Sequence, residues 1–405
     1  MRRLVVVLGL CAVIAGCGGD KSPDKSKTVT IAINAPFSRT PYVGQTIADG
    51  AELAASKAAV EANGVKYRFR IKRYDTGLSP SAAVRNVRRA IADGAVAIVD
   101  EGTGVDASWQ IARDGDIPLA VTYQGGDGLI DPDKRPNVFR IAPTDHGMSF
   151  RLAEYVIPKK LKVALITDDS SYGQQGAKAL DEAFSQNPES VAVKLTVPTD
   201  SPDLFPQVLR ARSAGATGLL VWAQPTTIAG VLSAARSSGW KVPVFTPPTG
   251  EDPLVRQQLA NHPDWVDGLT FAAGRPTAEV GAGPFLSFQR DLENKFGVQL
   301  VGVKTSDGAQ VVQPPDYAMY SYDFVNVLAA AIQRAGGVAD REKVLAALNQ
   351  VSVAGANGDQ RGFNERNHEG VVDDDVYFAK FEDMIYKPVK DDPLSATLVP
   401  IEQRR

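Results

Sequence analysis

Cysteine is almost absent from this 405-residue chain: there are two, Cys11 and Cys17, both near its start. That excludes a disulfide framework, a Cys-cluster metal site and a haem-attachment motif. Histidine is nearly as scarce, with His146, His262 and His368 the only three, so a dedicated transition-metal site lacks its usual nitrogen ligands. Neither sign of charge is in excess. Lys plus Arg number 44 and Asp plus Glu 47, for a formal charge of -3, which gives no global attraction to nucleic acid or to an anionic membrane surface. Beyond the leader no stretch reaches the roughly 18 uninterrupted apolar residues of a membrane span. No G-x-S-x-G elbow occurs, and none of the histidines has a neighbouring motif that would pair it with a nucleophile. What remains is ordinary globular composition, 44% hydrophobic and 22% charged, with length enough for more than one core.

The first residues decide the compartment. Arg2 and Arg3 form a positive n-region, Leu4 to Ile14 an apolar core too short to span a bilayer, and Ala15-Gly16 a small-residue cleavage position. Ile14-Ala15-Gly16-Cys17 resembles a bacterial lipobox, which implies lipidation of Cys17 and cleavage before it. Residues 1–16 are then a lipoprotein signal peptide. Residues 17–27, with Gly18-Gly19-Asp20-Lys21-Ser22-Pro23, read as a flexible tether. Cys11 leaves with the leader, so the mature chain keeps no thiol to pair. Two acyl chains anchor stably where one is marginal, each buried methylene contributing about 0.8 kcal/mol. The expected product is a water-soluble body tethered by lipid to the cell membrane, outside the cytoplasm.

From Thr28 onward short β-branched runs alternate with amphipathic stretches. Strands are predicted at 28–33, 67–74, 95–99 and 119–122, with helices at 47–60, 81–92 and 105–113 between them. Val96-Ala97-Ile98-Val99 is continuously apolar, as in a parallel sheet covered on both faces. After a Gly-, Asp- and Pro-rich loop at 125–136 the alternation restarts. Helices are predicted at 150–157, 174–184, 204–214 and 227–238, and strands at 162–167, 191–197, 218–222 and 242–246. Helices at 285–296, 317–335 and 343–349 follow, then an antiparallel hairpin of 376–381 and 384–387 across Glu382-Asp383. Too few elements remain after residue 270 for a third domain, so the chain is expected to cross between two α/β halves more than once.

Gly102-Thr103-Gly104-Val105-Asp106-Ala107 has the G-x-G-x-x-A form of a dinucleotide fingerprint. It follows the third strand instead of the first, and the next strand ends at Gln124 without the acidic residue that would hold a ribose, so no cofactor is expected. The same turn reads as an anion cradle, through N–H groups at a helix start and the Thr103 hydroxyl. Asp373-Asp374-Asp375 lacks calcium-loop spacing and reads as a solvated turn. His146 reads as a capping-region or surface residue, and His262 and His368 as solvated loop residues. Tyr317 and Tyr320 share a helix face, in a core or at the mouth of a cleft.

Several segments together are similar to the type I periplasmic binding proteins of the leucine/isoleucine/valine-binding kind. They are Val29 to Asn34 with Pro36-Phe37-Ser38; Gly44 to Ala59 with Asp49-Gly50-Ala51-Glu52-Leu53-Ala54; Asp75-Thr76 with Pro80 and Ala83; Ile117-Pro118-Leu119; Asn137 to Pro143; Asp168 to Gly173; and Ala234 to Gly239. The resemblance spans about residues 28 to 350. It implies two Rossmann-like doubly wound α/β lobes joined by a multi-stranded hinge, the first from residues 28–143 plus about 273–340 and the second from 144–272 plus about 341–400.

It further implies a non-catalytic, monomeric receptor that closes on a small-molecule ligand and docks on the permease of an ABC importer. The ligand would meet Gly102, Thr103 and Gly104 after the third strand, and Gln124, Gly125 and Gly126 after the fourth. Tyr172, Ala223, Gln224 and Thr249 would meet it from the second lobe. Thr249 stands where amino-acid binders of the family carry Glu, with Glu251 two residues on, so the ligand class stays open among amino acids, amides or urea-like compounds, and carboxylates. A receptor that senses without transport, and a two-lobed nucleotide-dependent enzyme, are the alternatives.

Overall fold

A computed structural model describes residues 26–275, 281, 283–297, 302–304, 310–312, 315–371, 375–382 and 385–392. The expected leader, the lipobox-like segment with Cys17, Asp373-Asp374 and the expected turn at Asp383-Met384 lie outside the described residues. No helix among the described residues is long and apolar enough to cross a membrane, and no group of three or more His, Cys, Asp or Glu side chains there could hold a metal ion.

The first half runs β1 (Ser26–Ala35), α1 (Pro41–Lys57), β2 (Val60–Ala62), β3 (Val65–Asp75), α2 (Pro80–Ala92), β4 (Ala95–Asp100), α3 (Val105–Arg113), β5 (Leu119–Val121) and β6 (Val138–Arg140). The strands form a six-stranded sheet in the order β2-β3-β1-β4-β5-β6, parallel except for β2. Alternation sorts the apolar runs between two cores: Ile31 and Ile33 of β1 face one and Ala32 the other, as Ala97 and Ile98 do in β4. Helix α2 shows why its sequence is helical. Ser79 caps it by accepting from the Ala82 N–H, Pro80 occupies its first turn, and Ala83, Val87 and Ala90 supply one buried stripe.

The second half runs α4 (Asp145–Val156), β7 (Val163–Asp168), α5 (Ser171–Ala183), β8 (Val191–Val197), α6 (Phe205–Ser213), β9 (Gly218–Trp222), α7 (Pro225–Ser237), β10 (Val244–Thr246), α8 (Pro253–Gln258) and β11 (Leu269–Gly274). There follow α9 (Gly283–Phe296), β12 (Gly302–Lys304), β13 (Gln310–Val312), α10 (Ala318–Arg334), α11 (Arg341–Leu348), β14 (Ser352–Ala354), β15 (Gln360–Gly362), β16 (Val376–Glu382) and β17 (Ile385–Pro388). The second sheet has seven strands, ordered β17-β16-β11-β10-β9-β7-β8, with β16 and β17 antiparallel. Leu219 and Val221 of β9 face one of its cores, and Leu220 and Trp222 the other.

Differences from the sequence expectations have local causes. Helix α1 begins at Pro41 instead of Ile47 and ends before Val60, which pairs in β2. Helix α4 begins at Asp145 instead of Phe150, because Thr144 accepts from the Gly147 N–H as its cap. Strands β6 and β11 and helix α8, each only three to six residues long, were not anticipated from their periodicity.

The return to the second sheet comes later than the boundary at about 341. Helix α11 lays Val344, Ala347 and Leu348 into the core of the first sheet, and Phe363 and Val371 join it. Helix α10 packs there as well. Its fit against α1 needs Gly50, where a Cβ would stand 2.0 Å from the Ala318 carbonyl oxygen. His368 is buried: its Nδ1 lies 2.8 Å from the Val138 carbonyl and its ring stacks on Phe139. Asp375 is buried as well, ion-paired to Arg361 and Arg275, which its place in an Asp triplet did not suggest.

Candidate functional site

Each sheet has a point where the chain's winding reverses. In the first, β1 lies between β3 and β4; in the second, β7 lies between β8 and β9. Beyond the carboxyl ends of such strands the loops diverge and leave a crevice, the usual ligand position in open α/β sheets. Both switch points open on the same crevice, of about 390 Å³ including its mouth. The first lobe lines it with Pro36, Thr40, Val43, Leu78, Glu101, Tyr123 and Gln124, and the second with Tyr172, Gln224, Pro225, Thr249 and Asp252. An exposed ion pair also joins the lobes, Arg39 to Asp200 at 2.5 Å.

The polar groups are held from behind. Asp168, at the end of β7, accepts from the Gln224 N–H at 2.7 Å and from both the N–H and the hydroxyl of Ser170. One carboxylate thus ties together the two second-lobe corners that carry Tyr172 and Gln224. Arg140 does the same in the first lobe. Its guanidinium is paired with Glu369 and donates to the Gly126 carbonyl at 3.0 Å, bracing the loop after β5.

The turn after β4 differs from the anion cradle expected there. Two of its N–H groups are already satisfied by the chain itself: Gly102 N–H donates to Asp100 at 2.7 Å and Thr103 N–H to Glu101 at 3.0 Å. The Thr103 hydroxyl accepts from the Gln124 amide at 3.0 Å, and the same amide donates to Glu101 at 3.3 Å. Gly102, at φ +126°, turns the chain tightly enough for this, and a Cβ there would meet the Gln124 side chain at 2.5 Å. Burial and, after it, the neighbouring Asp100 charge push Glu101 up to about 8.

The residues singled out in the sequence therefore divide. Gln124, Tyr172, Gln224 and Thr249 line the crevice together. Thr103 stands behind Gln124. Gly104 packs on Ala83, Gly125 on Asp145 and Gly126 on Gln175, while Ala223 is sealed in a second-lobe core. Glu251 does not line the crevice. It is buried toward Arg256 and Asp316, and burial first, then the Asp316 charge, raises its pKa well above the carboxylate range.

Glu101, Tyr123 and Asp252 were missed. The rule that ligands meet strand carboxyl ends would have found Glu101, which directly follows β4. Nothing local marked Asp252, because it sits between a 3-10 turn and a short helix, too little for a readable period. Tyr317 and Tyr320 are core residues, packed edge-to-face on each other, with Tyr317 also tilted against Tyr123.

A family model described as periplasmic binding protein matches residues 28–384. The chain belongs to the periplasmic binding protein family. It is 25% identical over 329 residues to a Leu/Ile/Val-binding protein homolog of Brucella melitensis, covering 79% of this chain and 83% of that one. Its fold is similar to a type 1 periplasmic binding protein from Bordetella pertussis, with TM-score 0.77 at 19% identity over 90% of this chain and all of the other. It is also similar to the branched-chain amino acid transporter protein LivJ of Streptococcus pneumoniae, solved in complex with isoleucine: TM-score 0.72, 19% identity, 91% of this chain and all of the other. The two doubly wound lobes of this periplasmic binding protein are the type I fold.

Proposed function

We propose that the chain is an extracytoplasmic solute-binding lipoprotein, anchored at Cys17 and monomeric. It captures a small polar organic molecule between its lobes and delivers it to an ABC importer, with no bond made or broken. The observation that carries this is the single crevice at the switch points of both sheets, to which each lobe contributes polar and aromatic side chains. A ligand touching both lobes binds the closed form better than the open one and shifts the population toward it. Gln124, Tyr172, Gln224 and Thr249 would touch the ligand. Gly102, Thr103, Gly104, Gly125, Gly126 and Ala223 would shape the loops that present them.

A thermal-shift screen of amino acids, amides, amines and carboxylates tests the reading. A true ligand at one hundred times its dissociation constant stabilises by about 2.7 kcal/mol. Thr103→Ala and Tyr172→Phe should each weaken its binding by about 0.5–1.5 kcal/mol, the worth of one hydrogen bond, with the fold intact. A melting curve unmoved by every class of compound would refute solute capture.

The anchor is tested separately: Cys17→Ser should move the protein from the membrane fraction to the soluble extracytoplasmic fraction, and retention in the membrane would refute lipidation at this residue.

A further inference from the structure

Taking the crevice as the solute site, we infer that the group it recognises is a cation, an amine or quaternary ammonium on a ligand with no carboxylate of its own, held between Glu101 of the first lobe and Asp252 of the second. Three features of the crevice lead there.

The first is the state of the turn after β4. A ligand carboxylate docking on this turn would compete for the Gly102 and Thr103 N–H groups, which Asp100 and Glu101 already engage, beside a Thr103 hydroxyl that accepts from the Gln124 amide. The chain has placed its own carboxylate where an anionic ligand would otherwise dock. The second is the charge of the lining. It contains two carboxylates and no Lys, Arg or His among the described residues, and its neighbours Glu251 and Asp316 add to the same field at the Tyr123 hydroxyl. Arg256 lies behind, fully buried over the Phe381 ring, outside the lining.

The third is Asp252. It is 4% exposed, its Oδ1 caps α8 by accepting from the Leu254 N–H at 2.8 Å, and its Oδ2 has no hydrogen-bond partner among the described residues although the residue lines the crevice. A largely buried carboxylate gains from a donor that meets its second oxygen. Tyr123 and Tyr172 add π faces on which a cation is favoured.

The charge that acts on Glu101 is that of Asp100, which ends β4, and Thr103 and Gln124 hydrogen-bond to it; Tyr123, on the loop after β5, feels Glu101 together with Asp252, Glu251 and Asp316. Glu101 accepts a proton more readily than any exposed carboxylate, ionising only near pH 8, so cation binding should strengthen as pH rises through that value.

The test is a panel of matched compounds on the purified full-length protein, read by thermal shift and calorimetry: isoamylamine, leucine and isocaproate; tyramine, tyrosine and phloretate; and choline, whose charge does not titrate. The amine of a set, or choline, should bind at least about tenfold tighter than the amino acid and the acid, and its affinity should rise from pH 6.5 to pH 8.5, roughly bracketing the Glu101 ionisation. Glu101→Gln and Asp252→Asn should each cost about tenfold or more in that affinity. Binding by leucine, tyrosine or the acids that equals or exceeds the amine would overturn the cation assignment while leaving solute capture standing. The wild-type comparison does not depend on either variant folding. If no compound in this panel or in the wider screen binds, it is solute capture itself that fails.

Discussion

Replacing Arg361 by Met is expected to lower the free energy of unfolding by about 3–5 kcal/mol, the cost of removing one partner from a buried ion pair. Arg361 is fully buried where the chain crosses between lobes, and it donates to Asp323 of α10 at 3.1 Å and to Asp375, just before β16, at 2.9 Å. Both carboxyls are pushed up to about 6, by burial first, with the guanidinium working against that rise. Arg275, which leaves β11, pairs with Asp375 at 3.4 Å and with Asp359 at 3.1 Å and so extends the network.

Without Arg361 the buried Asp323 carboxyl keeps, among the described residues, only the Ala356 N–H as a donor. Denaturant unfolding would measure the loss, and a change below about 1 kcal/mol would show that the network contributes no more than a surface pair. Pairing Arg361→Met with Asp323→Leu should recover part of the loss, because it removes one carboxyl left without its cation, while Asp375 keeps its pairing with Arg275.

The second large effect concerns binding. Asp168→Asn should abolish the ligand-induced thermal shift and lower stability by about 1–3 kcal/mol, the penalty for a buried donor facing another donor. Both oxygens of Asp168 are used as acceptors: one by the Ser170 N–H and hydroxyl, the other by the Gln224 N–H and, at 3.4 Å, the Thr227 hydroxyl. An amide in its place must turn its NH₂ group toward one of these sets. Whichever corner loses its acceptor, the loop bearing Tyr172 or the one bearing Gln224 is released. Calorimetry with any compound that stabilises the unaltered protein checks this. Unchanged affinity in a folded variant would mean that these two loops hold their positions without Asp168.

How much of this could be read beforehand varies with the range of the interaction. Strand β4 was legible because its apolar run and its pairing face are local properties. The same holds for α2, whose cap, proline and stripe lie within a dozen residues. Helix α8 was not legible, since six residues cannot establish a helical period; Asp252 caps it and lines the crevice, so a contact residue was lost with it. His368 looked solvated among polar neighbours, but β6, 230 residues earlier, supplies its acceptor.

The sequence alone determined that two α/β halves exist, that they resemble the type I periplasmic binding proteins, and which loops follow the strands, because each of these depends on neighbours within a few turns of chain. Tertiary structure alone decided which of those loops face one another, that residues 341–371 return to the first core, and that Glu101 folds back on the turn once read as an anion cradle. Those outcomes rest on contacts between residues far apart in the chain, where burial and hydrogen-bond satisfaction are settled jointly and no short window carries the information.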